Sequence, residues 1–190
     1  MSEVTKNIWE DLHNLDPNVR ELVLDKIASL NLANALDLIL PFIQDPDAGV
    51  RGTVACNLGL IHDDRTVPYL IELVEHDPSE EVRIEAIRSL SEYKSSEILN
   101  CLVAEVYREK RSRQPRQEAA KQLRHYDSEK AVDALVVLLQ DPDVFVRDHA
   151  AESLLCLNRY RLRSVWESVM ADRSADVQET AIQALAQLND

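Results

Sequence analysis

The sequence predicts an all-α fold, an α-solenoid (α-α superhelix) of about six helix pairs. Three observations carry that prediction. A segment reading Asp-Pro, a few residues, Val-Arg recurs as DPNVR at Asp16–Arg20, DPDAGVR at Asp45–Arg51, DPSEEVR at Asp77–Arg83 and DPDVFVR at Asp141–Arg147. Its period of about thirty-one residues lies in the range of repeat arrays, whose units bury their apolar faces only by stacking. The chain holds only 3 Gly in 190 residues, too few for a β fold built on tight turns.

The second helix of each unit follows from the spacing of its apolar residues. With the Val of each Val-Arg as position zero, the copies start at Val19, Val50, Val82, Pro115, Val146 and Val177. Position four holds Val23, Val54, Ala86, Ala119, Ala150 and Ala181, and position five holds Leu24, Ala55, Ile87, Ala120, Ala151 and Ile182. Position eight holds Ile27, Leu58, Leu90, Leu123, Leu154 and Leu185. Residues at 0, 4, 5 and 8 form one stripe on a helix of 3.6 residues per turn.

A first helix precedes each copy. The clearest are Ala35–Ile43, Val67–Val74, Glu97–Val106 and Ala131–Leu139, while the first copy has a short leading helix near Thr5–Asn14. Pro41 must kink or end the helix it sits in. One domain over residues 1–190 is expected, with repeats near 5–30, 33–61, 65–93, 97–125, 129–157 and 160–188.

The turn between the helices has a mechanical reading. Asp accepts a backbone N–H at a helix N-cap and Pro suits the first helical position. The Arg after each zero-position Val can reach an Asp of an adjacent turn. Asp16, Arg20, Asp45, Arg51, Asp77, Arg83, Asp141 and Arg147 are thus expected to form a structural Asp-Pro and Arg ladder. Trp9 and Trp166 are expected to pack the terminal helices.

Helix pairs with D-P-x-x-V-R opening the second helix resemble HEAT repeats. The period, shorter than the ~40–47 residues usual for that class, resembles the short subtype named after the phycobilisome bilin lyases. HDDRTVPYLIELVEHDPSEEVRIEAIRSL (His62–Leu90) and DSEKAVDALVVLLQDPDVFVRDHAAESLLCL (Asp127–Leu157) are near-consensus copies, and the resemblance runs from about Thr5 to Leu188. That subtype includes bilin lyase subunits, phycobilisome-degradation factors, iron–sulfur assembly helpers, a di-iron hydroxylase and many adaptors. The fourth copy departs from the pattern, with Gln114-Pro115-Arg116 after a long basic linker. The last has Asp172…Val177-Gln178, without Pro or Arg.

Composition narrows the function. The charged fraction of 29% and apolar fraction of 45% are those of a soluble folded protein. No apolar run approaches the length of a membrane span, so no membrane insertion is expected. The start, MSEVTKNIWEDLHNLD, lacks a basic-then-apolar leader pattern, and three widely spaced Cys (Cys56, Cys101, Cys156) read as reduced thiols. A cytoplasmic location is therefore expected.

The formal charge of −13 is uneven: residues 1–80 hold 15 acidic and 5 basic side chains, and residues 105–124 hold 7 basic and 3 acidic. The acidic half should repel nucleic acid and attract basic protein surfaces. Nucleic acid is not the expected partner, because phosphate neutralisation needs a positive stripe along many repeats. Arg108, Lys110, Arg111, Arg113, Arg116 and Arg124 form a basic loop read as a second contact zone, with Arg159, Arg161 and Arg163 one repeat later.

Little chemistry is legible. None of His13, His62, His76, His125 or His149 is followed by Glu, so the repeated His-Glu pairs of the di-iron relatives are missing, and no metal site is expected. His62 and His76 read as helix caps. There is no G-x-S-x-G, C-x-x-C or Gly-rich phosphate loop. The sequence instead predicts a non-catalytic protein-binding solenoid without a cofactor. Positions 2, 3 and 6 of the second helices lie off the apolar stripe and should meet a protein partner. They comprise Ile84, Glu85 and Arg88, then Gln117, Glu118 and Lys121, then Asp148, His149 and Glu152. The family resemblance implies one alternative, a phycobilin lyase subunit that holds a bilin and pairs with a second HEAT-like chain. The acidic charge suggests another, an inhibitor or immunity-type protein that captures a basic target.

Overall fold

The computed structural model describes residues 8, 10–30, 32–108, 113–157 and 162–188, and every regular element among them is helical. The chain forms two compact units, residues 1–94 and 95–190, and each holds three of the repeats. Each unit is a stack of helix pairs, the building plan of an α-solenoid.

In the first unit, Ile8 and Glu10–Leu12 are the described part of the leading helix. Then come α1 (Pro17–Ser29), α2 (Ala35–Ile39), α3 (Ala48–Leu60), α4 (Val67–His76) and α5 (Glu80–Ser89). Helix α3 lies between α1 and α5, so the second helices form one layer. Pro41 ends α2, because its missing N–H cannot continue the helix. The chain goes on as a 3-10 turn, Leu40–Gln44.

The second unit holds α6 (Ser96–Tyr107), α7 (Arg113–Leu123), α8 (Glu129–Leu138), α9 (Val144–Leu157), α10 (Arg163–Val169) and α11 (Ala175–Gln187). Here α9 lies between α7 and α11, while α6 packs on α7 and α8, and α10 on α11. Trp166 of α10 is buried; Trp9 lies outside the described residues. No described helix is long and apolar enough to cross a membrane.

The core follows the predicted stripe. Val50, Val54, Ala55 and Leu58 are fully buried, as are Ala119, Ala120 and Leu123, and Val146, Ala150 and Ala151. Position five departs from it in the last copy, where Ile182 is 53% exposed.

The turns correct the expected capping. Asp16 does cap α1, its side chain accepting from Asn18 N, with Pro17 behind it. In the other copies the cap lies two residues after the Asp of Asp-Pro. Asp47 accepts from Gly49 N and Val50 N, Asp143 accepts from Phe145 N and Val146 N, and Ser79 is the N-cap of α5. Ser95 and Ser128 cap the first helices α6 and α8. His62 follows α3 with φ 51°, the left-handed conformation that commonly ends a helix. His76 is the last residue of α4, its Nδ1 3.3 Å from Glu72 O.

Candidate protein-binding surface

The aspartates released from capping hold successive repeats together. Arg20 donates from Nε and Nη2 to Asp45 at 2.9 and 2.8 Å, and Arg51 reaches Asp77 the same way at 2.7 and 3.0 Å. In the second unit Arg116 forks onto Asp141 at 3.0 and 3.4 Å, and Arg147 onto Asp172 at 2.7 and 3.0 Å. Each acceptor also takes a backbone N–H two residues on: Asp47 onto Asp45, Ser79 onto Asp77, Asp143 onto Asp141, and Ser174 onto Asp172. One carboxylate thus closes its own turn and binds the previous repeat. Charge-assisted bidentate bonds of this kind are the strong ones. Arg51 and Arg147 are held above the usual guanidinium range mainly by the hydrogen bonds they donate to Asp77 and Asp172.

Four of the ladder arginines also donate Nη1 to the carbonyl six residues before them: Arg20 to Asn14, Arg51 to Asp45, Arg83 to Asp77 and Arg147 to Asp141. That fixed offset sets the register. The first copy's ladder position is therefore Asn14, which accepts from Asp16 N at 2.9 Å, and Asp16 is a cap outside the ladder. In the last copy Gln178 keeps the turn bond, Nε2 to Asp172 O at 2.6 Å, with no guanidinium to fork onward. Arg116 is a second correction. Grouped by sequence with the basic loop, it is 1% exposed and is a core rung.

The remaining basic-loop residues are tied down or lie outside the described residues. Arg108 pairs with Glu105, Arg113 with Asp143 at 3.3 Å, and Arg124 Nε donates to Lys121 O. Lys110, Arg111, Arg159 and Arg161 lie outside the described residues. An open groove flanks the forks in each unit, about 300 Å³ between Asp45 and Asp77 and about 370 Å³ between Asp141 and Asp172.

With the arginines committed, the free edge of each second helix is the surface that remains. In the first unit Leu22 is 71% and Leu60 62% exposed, and Asp25, Cys56 and Arg88 are exposed beside them. Glu85 is half-buried and pairs with Arg88 at 2.7 Å. Asn57 Nδ2 donates to Asp25 Oδ1 at 3.2 Å across α1 and α3. Burial, then Glu85 and Asp25, push the Cys56 thiol up, which disfavours its thiolate form. Cys101 is buried, and Cys156 is a free exposed thiol.

Two expected surface positions are not surface. Ile84 is 9% exposed and Glu118 is buried, where it meets Lys121 at 3.6 Å and Gln122 at 3.1 Å. An apolar Ile gains by leaving water, and neighbouring side chains satisfy the Glu. Gln117 and Lys121 are half-buried, with Gln117 Nε2 on Asp143 Oδ1 at 3.4 Å. Asp148 and His149 are half-buried and Glu152 is exposed, with His149 Nδ1 3.5 Å from Glu152 Oε2. The sequence reading passed over Phe145 at 55% exposure, and exposed Asp176 and Glu179. Phe145 stands three residues before Asp148 and four before His149, and that spacing was the available signal; Asp176 and Glu179 lie on a helix for which no surface residue was expected. Among the described residues no group of His, Cys, Asp and Glu gathers in a metal-binding arrangement.

The family pattern described as HEAT repeats matches residues 8–91, 50–109 and 102–186. No curated protein matches the chain. Several solved structures share its fold. The Nostoc phycocyanin lyase complex of CpcE and CpcF is 18% identical with a TM-score of 0.66, over 96% of this chain and 76% of that one. The S. pombe condensin Cnd3–Cnd2 subcomplex is 21% identical with a TM-score of 0.68, over 98% of this chain and 27% of that one. A designed armadillo repeat protein in complex with peptide (KR)4 is 18% identical with a TM-score of 0.64, over 99% and 100%. Motif, fold and family pattern agree: the chain belongs to the HEAT-repeat family.

Proposed function

We propose that this chain is a non-catalytic protein-binding solenoid, an adaptor or regulatory factor that engages its partner with the exposed edges of its second helices. One observation carries the reading: the ladder commits Arg20, Arg51 and Arg147 to architecture, while Leu22, Leu60 and Phe145 stay in water on the same three helices. Exposed large apolar side chains beside charged ones are the composition of a partner-binding face. The neighbouring CpcE–CpcF, condensin and peptide-bound armadillo structures are all complexes, which supports the same reading.

The test is affinity capture with the chain and with Arg88→Glu, Lys121→Glu. Both side chains are at least partly exposed; Arg88 pairs with Glu85 and Lys121 with the buried Glu118, so a circular dichroism melt is read beside the capture. A partner lost on reversal, with an unchanged circular dichroism melt, supports the reading. A partner retained by the variant removes this face.

The likeness to the phycocyanin lyase pair supports a second reading, a bilin-handling subunit that works with another HEAT-like chain. It predicts a coloured eluate carrying a tetrapyrrole. A colourless protein complex that dissociates in salt favours the adaptor.

A further inference from the structure

We propose that the α9–α11 edge of the second unit docks a basic segment of a protein partner, with an apolar partner residue seated on Phe145. The proposal rests on the protein-binding reading and adds the chemistry of the partner.

The placement comes from helix periodicity. Phe145, Asp148 and Glu152 stand at i, i+3 and i+7 on α9, so they share one line along the helix. Phe145 and Val144 are exposed at its first turn. Helix α11 packs beside α9 and places Asp176 and Glu179 in its own first two turns, both exposed. The fork from Arg147, the residue before Asp148, to Asp172 fixes α9 against the turn that leads into α11. The carboxylates therefore keep their spacing on a rigid frame.

Charge names the occupant. Asp148, Glu152, Asp176 and Glu179 have no ion pair with any Lys or Arg among the described residues; His149 meets Glu152 at 3.5 Å. The cations on α7 are engaged elsewhere, Arg113 with Asp143 and Lys121 with Glu118. Burial, then Glu152, lifts Asp148 above the usual carboxylate range, and Asp176 adds to it while His149 opposes. A face of like charges with one half-desolvated member is relieved by a cation from outside. Phe145 supplies the apolar contact that anchors a segment and excludes water around the charges.

The test uses the full chain and a fluorescein-labelled helical peptide with a Leu face and a Lys face, against a control with Glu in place of Lys. Fluorescence anisotropy at low salt should show binding of the Lys peptide only, weakening as salt rises. Asp148→Asn with Asp176→Asn, and separately Phe145→Ser, should each weaken it about tenfold. Asp37→Asn with Glu72→Gln, exposed on the first helices of the first unit, should leave it unchanged. No binding of the Lys peptide, equal binding of the Glu peptide, or equal loss in the first-unit variant overturns the proposal. A chain that captures a partner through Arg88 and Lys121 yet ignores the Lys peptide sinks this inference alone; a chain that does neither takes down both.

Discussion

Arg116 and Asp141 form a fork in which both side chains are withdrawn from water, with 1% and 6% of each exposed. The equivalent pair, Arg147 and Asp172, keeps 13% and 12% exposed. The two forks share their geometry and differ in solvation, which decides what breaking them does. Removing one partner of a buried pair leaves an uncompensated charge and costs about 3–5 kcal/mol. Water partly relieves the more exposed pair. Arg116→Met should therefore lower the urea unfolding free energy by about 3 kcal/mol or more, and Arg147→Met by less. Equal losses would show that the forks act by geometry alone.

The phase of the repeat was legible because burial writes itself into spacing: Val50, Val54, Ala55 and Leu58 are all fully buried. The role of each ladder residue was less legible. Asp-Pro draws the eye in Asp16-Pro17, yet the ladder position there is Asn14, six residues before Arg20. Arg116 was hidden because Pro115 replaces the Val and Lys110 stands six residues before it. The surface strip was the least legible, since exposure at a helical position depends on neighbours that a single helix cannot name. Hence Ile84 and Glu118 turned out buried, and Phe145 exposed.

The glycines of α3 give a matched pair of expectations. A Cβ on Gly59 would lie 2.7 Å from Ser89 Cβ, where α3 meets α5. Gly59→Ala should therefore destabilise by about 1–3 kcal/mol through overpacking. A Cβ on Gly52 meets nothing within 4 Å, and the residue is inside the same helix. Gly52→Ala should stabilise by about 0.5–1 kcal/mol. Thermal melts of the two variants should shift in opposite directions; a shared direction would misplace one of the helix contacts.

Asp172 links stability to acid. The hydrogen bond from Arg147 holds its carboxyl below the usual carboxylate range, against some opposition from burial. Its charged form is favoured in the folded chain, so its contribution is present above the unfolded value, near pH 4. That contribution is lost as pH falls through the lower, folded value. Urea midpoints of the chain and of Asp172→Asn should differ most near neutral pH and converge on acidification. A difference that stays constant with pH would mean the side chain acts by shape.

Asp148 reverses the sign, and with it the tie between stability and binding. Burial and the charge of Glu152 raise its carboxyl, so ionisation is disfavoured in the folded chain. The penalty is present above the folded value and is relieved as pH falls toward the unfolded one. Asp148→Asn removes it, and the variant should be more stable than the chain at neutral pH, with the gain vanishing in acid. The same substitution should weaken the Lys peptide. A residue that destabilises the free chain and strengthens its complex is the mark of a binding surface held against folding preference. Parallel melts and anisotropy titrations of this one variant read both effects. Loss of both stability and binding would make Asp148 a structural residue instead.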